Sequence, residues 1–132
     1  WATSSSLERG VALDALDAAL EGRKPAPGLV HHTDRGCQYA CDDYRKRLAD
    51  ALVERSMSRT GDCWDNAVAE SFFATIKGEC LDHEHFATRR AATAVIAEYI
   101  DVCYNHQRLH SSLGYMSPAE YELKKAVAAM AA

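Results

Sequence analysis

Leucines recur every three or four residues in the N-terminal part of the chain. The members of this stripe are Leu13, Leu16 and Leu20. This spacing places side chains on one face of a helix. Ser5 and Glu8 have the spacing of a capping box, in which each side chain binds a free backbone N–H group at a helix start. The pattern predicts an amphipathic helix over residues 6–21.

Two short segments of the chain predict β-strands. Residues 23–28 contain two prolines and a glycine and predict a loop. The run over residues 29–33, with its β-branched members, predicts a buried strand, and residues 52–58 are moderately strand-like. Asp34 follows the first of these strands directly, two residues ahead of a glycine that permits a turn. The sequence therefore places Asp34 at the carboxyl end of a strand.

Apolar residues at four-residue spacing predict two helices in the centre of the chain. Tyr44, Leu48 and Leu52 indicate a helix over residues 41–51. The stripe of the second helix consists of Trp64, Val68, Phe72 and Ile76. At about 100° per residue, Glu70 falls nearly opposite this stripe. We expect the stripe to pack into a core while Glu70 faces away from it.

The C-terminal part of the chain predicts two more helices joined by a loop. Thr88 is a suitable N-cap for a long helix that ends near Arg108. Residues 110–116 contain a glycine and predict a loop. Ser117 and Pro118 then start a last helix, because proline is favoured at the first helical position.

The composition fits one globular domain that folds without disulfides or a structural metal. The chain has 132 residues, of which 48% are hydrophobic and 26% charged. No segment approaches the roughly 18 apolar residues of a membrane span, so we expect no membrane partner and a cytoplasmic location. The odd number and irregular spacing of the cysteines predict free thiols and disfavour a zinc site. These cysteines are Cys37, Cys41, Cys63, Cys80 and Cys103.

The overall charge does not favour a nucleic-acid ligand, but the distribution of charge leaves room for one. The formal net charge is −4 and the pI is about 5.8, whereas phosphate binding depends on lysine and arginine. Between His31 and Thr60, six lysines and arginines stand against five acids, and Arg35 and Arg59 are among them. Residues 105–110 are basic as well. A local basic surface is therefore compatible with DNA binding.

Four motifs in order carry a family resemblance that covers nearly the whole chain. Asp34 and Glu70 are separated by 35 residues, and Lys77 lies seven residues after Glu70. This resembles the aspartate, 35-residue gap, glutamate and lysine signature of insertion-sequence transposases and retroviral integrases, the D-D-E recombinases. The surrounding segments resemble successive motifs of the same family; they span residues 31–39, 56–61, 63–73 and 104–115, and Ser117-Pro118 follow the last of them.

The resemblance implies an α/β fold of the RNase H-like, integrase-core type, mostly helical here with about two remaining strands. Residues 1–122 would be part of the catalytic core without its first three strands, and residues 123–132 an Ala-rich tail. In this family the first catalytic aspartate lies on the first strand, upstream of the segment present here. Asp14 and Asp17 lie in a predicted helix and are in the wrong context to replace it.

The resemblance also implies the chemistry and its residues. Asp34 and Glu70 would be catalytic and would bind Mg²⁺ or Mn²⁺, in divalent-metal-dependent cleavage and strand transfer of DNA. Lys77 would meet a substrate phosphate and Asn66 a terminal base or phosphate. The remaining residues assigned to DNA are Arg35, Arg59 and Arg108. We expect a homo-oligomer, because a sheet without its first strands exposes an edge that pairs with another chain.

Several alternatives stay open at this point. The chain is either a metal-dependent recombinase core or a non-catalytic remnant that binds DNA or dimerises. Arg108 and His110 either contact DNA or cap the carbonyl groups of the preceding helix. Phe73 lies off the apolar stripe and is open to base stacking. His31 and His32 point to opposite faces of a strand, so we expect one to be packed and the other exposed.

Overall fold

The computed structural model describes residues 1–6, 8–59 and 63–131, apart from the side chain of Cys63. The chain divides into two compact units, Trp1–Phe72 and Phe73–Ala132. The predicted turn over residues 59–63 falls largely outside the described residues. Each unit is considered by itself below.

The first unit combines helices with a two-stranded parallel sheet. Its elements are α1 (Arg9–Arg23), β1 (Val30–Thr33), α2 (Cys37–Ala40), α3 (Asp42–Asp50), β2 (Glu54–Met57), a 3-10 helix (Cys63–Asn66) and the start of α4 (Ala67–Ile76). The strands pair in register from Val30 with Glu54 to Thr33 with Met57. Both predicted strands and the helix over residues 41–51 are confirmed, while the short helix α2 was not predicted.

The core of the first unit is a cluster of four buried side chains. Leu16, Tyr44, Leu48 and Val53 form this cluster, and Leu13 and Leu20 are among the partly buried residues packed against it. The predicted leucine stripe is therefore confirmed. The expectation that Leu52 continues the stripe of α3 is wrong, because the helix ends at Asp50 and Leu52 is 63% exposed with a left-handed φ of 56°. The turn gives the core position to Val53 instead.

Two expectations for the N-terminal half need correction. The capping box of Ser5 and Glu8 does not form, since α1 begins at Arg9 with Glu8 as an N-cap that makes no side-chain cap. The Oγ of Ser6 instead accepts a hydrogen bond from the backbone N–H of Glu8 at 3.2 Å, a local turn that competes with capping. β1 is not buried: Val30 is 57% exposed, and only alternate residues of the strand are half-buried, as in a strand covered on one face.

The apolar stripe predicted for the central helix is only partly buried. Ile76 is buried and Phe72 half-buried, but Trp64 is 82% and Val68 86% exposed, so the prediction that these two pack in a core is wrong. Trp64 lies on the 3-10 helix, whose three residues per turn put it out of phase with α4. The buried cluster of the first unit contains no residue of α4. Phe73 is exposed as well.

The second unit is helical in its described part. After α4 come a π-helical segment (Lys77–Leu81), α5 (Arg89–Glu98), a second π-helical segment (Tyr99–Gln107), a 3-10 helix (Ser111–Leu113) and α6 (Pro118–Met130). Thr88 caps α5 by accepting from the N–H of Ala91 at 3.2 Å, and Arg108 ends the following segment, as predicted.

α6 begins as the sequence predicts, with Pro118 in its first turn. Ser117 and Glu120 also form a capping box: the Ser117 Oγ accepts from the Glu120 N–H at 3.3 Å, and a Glu120 carboxylate oxygen accepts from the Ser117 N–H at 2.8 Å. Both hydrogen bonds satisfy backbone N–H groups at the start of α6 that have no carbonyl partner within the helix. The helix crosses residue 123, where the Ala-rich tail was predicted to begin.

The architecture confirms the predicted α/β class, mostly helical with two strands, as expected for part of an RNase H-like core. In the described residues the sheet has two strands, so each keeps one edge without a strand neighbour. Pairing of such an edge in a homo-oligomer stays a prediction. None of the helices in the described ranges is long and apolar enough to cross a lipid bilayer.

Leu48 and Leu52, four residues apart, provide a matched test of the core. Leu48 is 2% exposed and belongs to the buried cluster, whereas Leu52 is largely exposed. We expect Leu48→Ala to lower the free energy of unfolding by about 2–5 kcal/mol, because it removes buried methyl groups and leaves a cavity. Leu52→Ala should change it by less than about 0.5 kcal/mol. Urea unfolding followed by circular dichroism measures both, and equal losses would contradict this core.

Candidate active site

Asp34 lies directly after β1 in a tight turn. Its Oδ1 accepts a hydrogen bond from the backbone N–H of Gly36 at 2.7 Å, and the residue is exposed. A Cβ added to Gly36 would lie 2.8 Å from this same oxygen. A side chain at position 36 would therefore displace the Asp34 carboxylate from this turn, in which the Gly36 N–H holds it at the strand end.

Glu70 lies in the first turn of α4 and is exposed. In the described part of the chain its side chain makes no hydrogen bond or ion pair. Asp34 has the Gly36 N–H as its hydrogen-bond partner there and no basic side chain within ion-pair distance. Both carboxylates are thus present on the first unit without a neutralising cation from the described residues.

The two adjacent histidines of β1 have different surroundings, as the strand alternation predicts. His31 is half-buried and its Nε2 lies 2.9 Å from the hydroxyl of Tyr44. Burial lowers the pKa of His31 and raises the pKa of Tyr44 to about 12. His32 is exposed, and its two ring nitrogens contact the hydroxyls of Ser56 at 2.8 Å and Ser58 at 3.2 Å.

Asn66 and Arg35, two residues assigned to DNA, both bind Ser58. The Ser58 hydroxyl donates to the Asn66 Oδ1 at 2.8 Å, and the Arg35 Nε donates to the Ser58 carbonyl at 2.8 Å. Ser58 is 4% exposed, so these contacts satisfy a polar residue that is shielded from water. The structure therefore brings Arg35 and Asn66 to one place after the ends of β1 and β2.

Arg59 is bound by Asp65 on the 3-10 helix. Its Nη2 and Nε donate to the Asp65 carboxylate at 2.9 and 3.1 Å, and its backbone N–H donates at 2.9 Å. The hydrogen bonds from Arg59 lower the pKa of Asp65 from its usual 3.8 to about 2. An anion that binds Arg59 must compete with this carboxylate.

The other two residues assigned to DNA, Lys77 and Arg108, lie in the second unit. Arg108 forms an ion pair with Glu79 through side-chain hydrogen bonds. Its Nη2 and Nε donate to the Glu79 Oε1 at 2.8 and 3.0 Å. The other carboxylate oxygen of Glu79 accepts a hydrogen bond from the Tyr99 hydroxyl at 2.5 Å. These bonds lower the pKa of Glu79. The Arg108 side chain is thus engaged by Glu79 and does not cap the preceding helix, although the Arg108 backbone N–H donates to the Cys103 carbonyl at 2.7 Å. Lys77 is exposed at the first position of its π-helical segment.

No group of three or more His, Cys, Asp or Glu side chains in the described residues is arranged to hold a metal ion. Cys37, Cys41, Cys80 and Cys103 are free thiols, as predicted, and the thiol of Cys63 lies outside the described part. α1 places Asp14 and Asp17 on a helix, as the sequence indicated.

Three residues with prominent contacts were not singled out from the sequence. Ser58 is recognisable only as a serine at the end of a predicted strand, and nothing in its neighbours signals that it is buried. Asp65 precedes Asn66 at the start of a helix, where an acidic residue is ordinary. Glu79 lies 29 residues before Arg108, and no local pattern connects them.

Because of the Arg59–Asp65 pair, the stability of the first unit should vary with pH in the acidic range. Because the folded-state pKa of Asp65 lies below its unfolded value of 3.8, its stabilising contribution is complete above about pH 4 and is lost as the pH falls through about 2. We expect Arg59→Gln to move the Asp65 titration back toward 3.8 in carboxylate NMR. Arg55→Gln is the control, and an unchanged Asp65 titration in Arg59→Gln would rule out this pair.

Comparison with known proteins connects this geometry to mobile elements. A family model described as Integrase core domain matches residues 51–118. An insertion element IS600 protein of 31 kDa, uncharacterized, from Shigella sonnei is 49% identical over 83% of this chain and 40% of its own length. The transposase for insertion sequence element IS904 of Lactococcus lactis subsp. lactis (strain IL1403) is 41% identical over 92% of this chain and 48% of its own length.

The transposase InsF for insertion sequence IS3A of Escherichia coli (strain K12) is similar to the chain as well, at 42% identity over 94% of this chain. The chain spans less than half the length of each of these curated relatives. The family model covers more than half of the chain, including Glu70, Asn66 and Lys77. The chain accordingly belongs to the integrase core domain family.

Proposed function

We propose that this chain is part of a transposase, a polynucleotidyl transferase that cleaves DNA at transposon ends and joins it to a target with the help of Mg²⁺ or Mn²⁺. The chain spans less than half the length of the three relatives described above, and those from Lactococcus lactis and Escherichia coli are named as transposases. Their reaction on DNA, in the cytoplasm, is therefore the activity to be tested for the protein that contains this chain.

The observation that carries the proposal is a pair of exposed carboxylates without cationic partners in the described residues. Asp65 and Glu79, by contrast, are each engaged by an arginine. Asp34 is held at a strand end by Gly36, and Glu70 stands on the first turn of α4. Mg²⁺ prefers hard oxygen ligands and is usually held by one or two carboxylates plus substrate phosphate and water, so this donor set suits it.

Each residue has a role in the proposed reaction. Asp34 and Glu70 would hold the divalent cation, which when bound activates the attacking oxygen and stabilises the leaving oxygen of a phosphodiester. Asn66 and Arg35 would position a DNA end beside them, since both are fixed through Ser58. Lys77, Arg59 and Arg108 would contact phosphates, where positive charge supplies most of the affinity.

A second candidate is a non-catalytic module that binds DNA or dimerises. The observation in its favour is that no group of three possible metal ligands occurs in the described ranges. Such a module would use the same basic residues without binding metal. Metal titration separates the two candidates.

Saturable binding of Mn²⁺ to the chain is expected and should depend on both carboxylates. Asp34→Asn and Glu70→Gln each remove one anionic ligand, so each should weaken Mn²⁺ binding by at least about 10-fold, a factor that corresponds to 1.4 kcal/mol. Isothermal titration calorimetry and the paramagnetic effect of Mn²⁺ on NMR signals measure this.

The matched controls for this titration are Asp14→Asn and Glu21→Gln, which remove exposed acids of α1. Their Mn²⁺ affinity should equal that of the unmodified chain. If the chain binds no Mn²⁺, or if all four variants bind it alike, the non-catalytic module becomes the better account.

DNA binding should weaken with salt and respond to the Arg59–Asp65 pair. Arg59→Ala should reduce the slope of log affinity against log salt concentration by about 1, the value for one lost phosphate contact. Asp65→Asn should strengthen binding, because it removes the carboxylate that competes for Arg59. Fluorescence anisotropy with a labelled duplex measures both effects. Lys124→Ala, on α6, is the control, and an affinity that does not change with salt would refute phosphate contact.

A further inference from the structure

Ser58 makes contacts on both sides of Asp34 and with the residue that precedes α4. Its backbone N–H donates to the Thr33 carbonyl at 2.9 Å, and its own carbonyl accepts from the Arg35 Nε at 2.8 Å. Thr33 and Arg35 are the two neighbours of Asp34 in the chain. The main-chain groups of Ser58 thus hold the segment that carries Asp34 at two points.

The hydroxyl of Ser58 extends this contact to the helix of Glu70. It lies 2.8 Å from the Asn66 Oδ1 and 3.1 Å from the Thr33 carbonyl, two acceptors that share its single proton. Asn66 is the last residue of the 3-10 helix, and α4 begins at the next residue. Glu70 lies four residues after Asn66, which is about one helical turn further along.

His32 completes the hydrogen bonding of this hydroxyl. With the proton on Nε2, the imidazole donates to the Ser58 Oγ at 3.2 Å, while Nδ1 accepts from the Ser56 hydroxyl at 2.8 Å. The Ser58 hydroxyl then donates and accepts at once, and its orientation is fixed. Ser58 is 4% exposed, so water does not offer it an alternative partner.

We propose that Ser58 is a positioning residue that fixes the start of the Glu70 helix relative to the Asp34 turn. This inference rests on the proposed function, in which those two carboxylates hold one divalent cation. Ser58 itself touches neither cation nor DNA in this role. It acts through Thr33 and Arg35 on one side and through Asn66 on the other, in the manner of the outer partners that orient metal ligands.

The test uses the whole chain with three serine variants. Ser58→Ala removes the hydroxyl, and Ser58→Thr keeps it. Ser117→Ala is the matched control, because it removes another buried serine hydroxyl, the one that caps α6 in the second unit. Two quantities are measured: amide hydrogen exchange at residues 70–72 of α4, and the Kd for Mn²⁺.

Ser58→Ala should accelerate amide exchange at residues 70–72 relative to α3 and raise the Kd for Mn²⁺ by about 10-fold, the lower end of the range for direct partners of metal ligands, because Ser58 acts through neighbours of the ligands. Ser58→Thr should restore both quantities toward the values of the unmodified chain. Ser117→Ala should leave both unchanged even though it lowers stability. If Ser58→Ala does not fold, Asn66→Ala removes the other half of the same hydrogen bond and takes its place.

The outcomes separate this inference from the proposed function. Unchanged exchange at residues 70–72 in Ser58→Ala overturns the inference. Faster exchange with an unchanged Kd for Mn²⁺, while Asp34→Asn still weakens binding, also overturns it, because Ser58 would then be structural only. If the unmodified chain binds no Mn²⁺, the metal-dependent function fails, and exchange at residues 70–72 alone decides whether Ser58 holds α4.

Discussion

The parallel pairing of β1 with β2 is the constraint on which the first unit depends. Parallel strands cannot be joined by a tight turn, so the chain between them has to return to the start of the sheet, and here α2 and α3 make that return. Leu16, Leu48 and Val53 pack in the core that holds this connection. Because both strands run in one direction, the residues that follow them emerge at the same edge. That is why Asp34 and Ser58, far apart in the sequence, lie in neighbouring segments.

Elements whose signals are local could be predicted from the sequence. Thr88 and Ser117 mark helix starts because one side-chain hydrogen bond near the helix end decides the boundary. The apolar period was a poorer guide in α4, since it predicts which side chains share a face but not whether another element covers that face. Trp64 also precedes α4 on a turn of different pitch, which a four-residue spacing does not reveal. The position of Asp34 at a strand end was predicted, whereas the contacts of Ser58 depend on sheet register and could not be.

The basic residues assigned to DNA are less available than their number in the sequence indicates. Arg59 is bound by Asp65 and Arg108 by Glu79. The partners in these two pairs lie six and 29 residues apart in the sequence, so the pairs are visible only in the folded chain. For an arginine paired in this way, phosphate binding is an exchange of one anion for another. The free energy gained per contact is then the difference between the free energy of the arginine–phosphate pair and that of the arginine–carboxylate pair. This difference is modest when both pairs are exposed to solvent. Under the proposed function, a chain with net charge −4 would then contact DNA at a few points without a strong general attraction to it.

The close approach at Gly36 has an evolutionary consequence. Its φ of −54° is open to every amino acid, so backbone conformation places no demand on this position. The demand comes from the Asp34 oxygen, which occupies the space a Cβ would need. A side chain at position 36 therefore requires the Asp34 carboxylate to leave its turn, whereas a Cβ added at Gly22 meets no atom within 4 Å. In a lineage where the acid has lost its purpose, substitutions at position 36 should be among the earliest traces of decay.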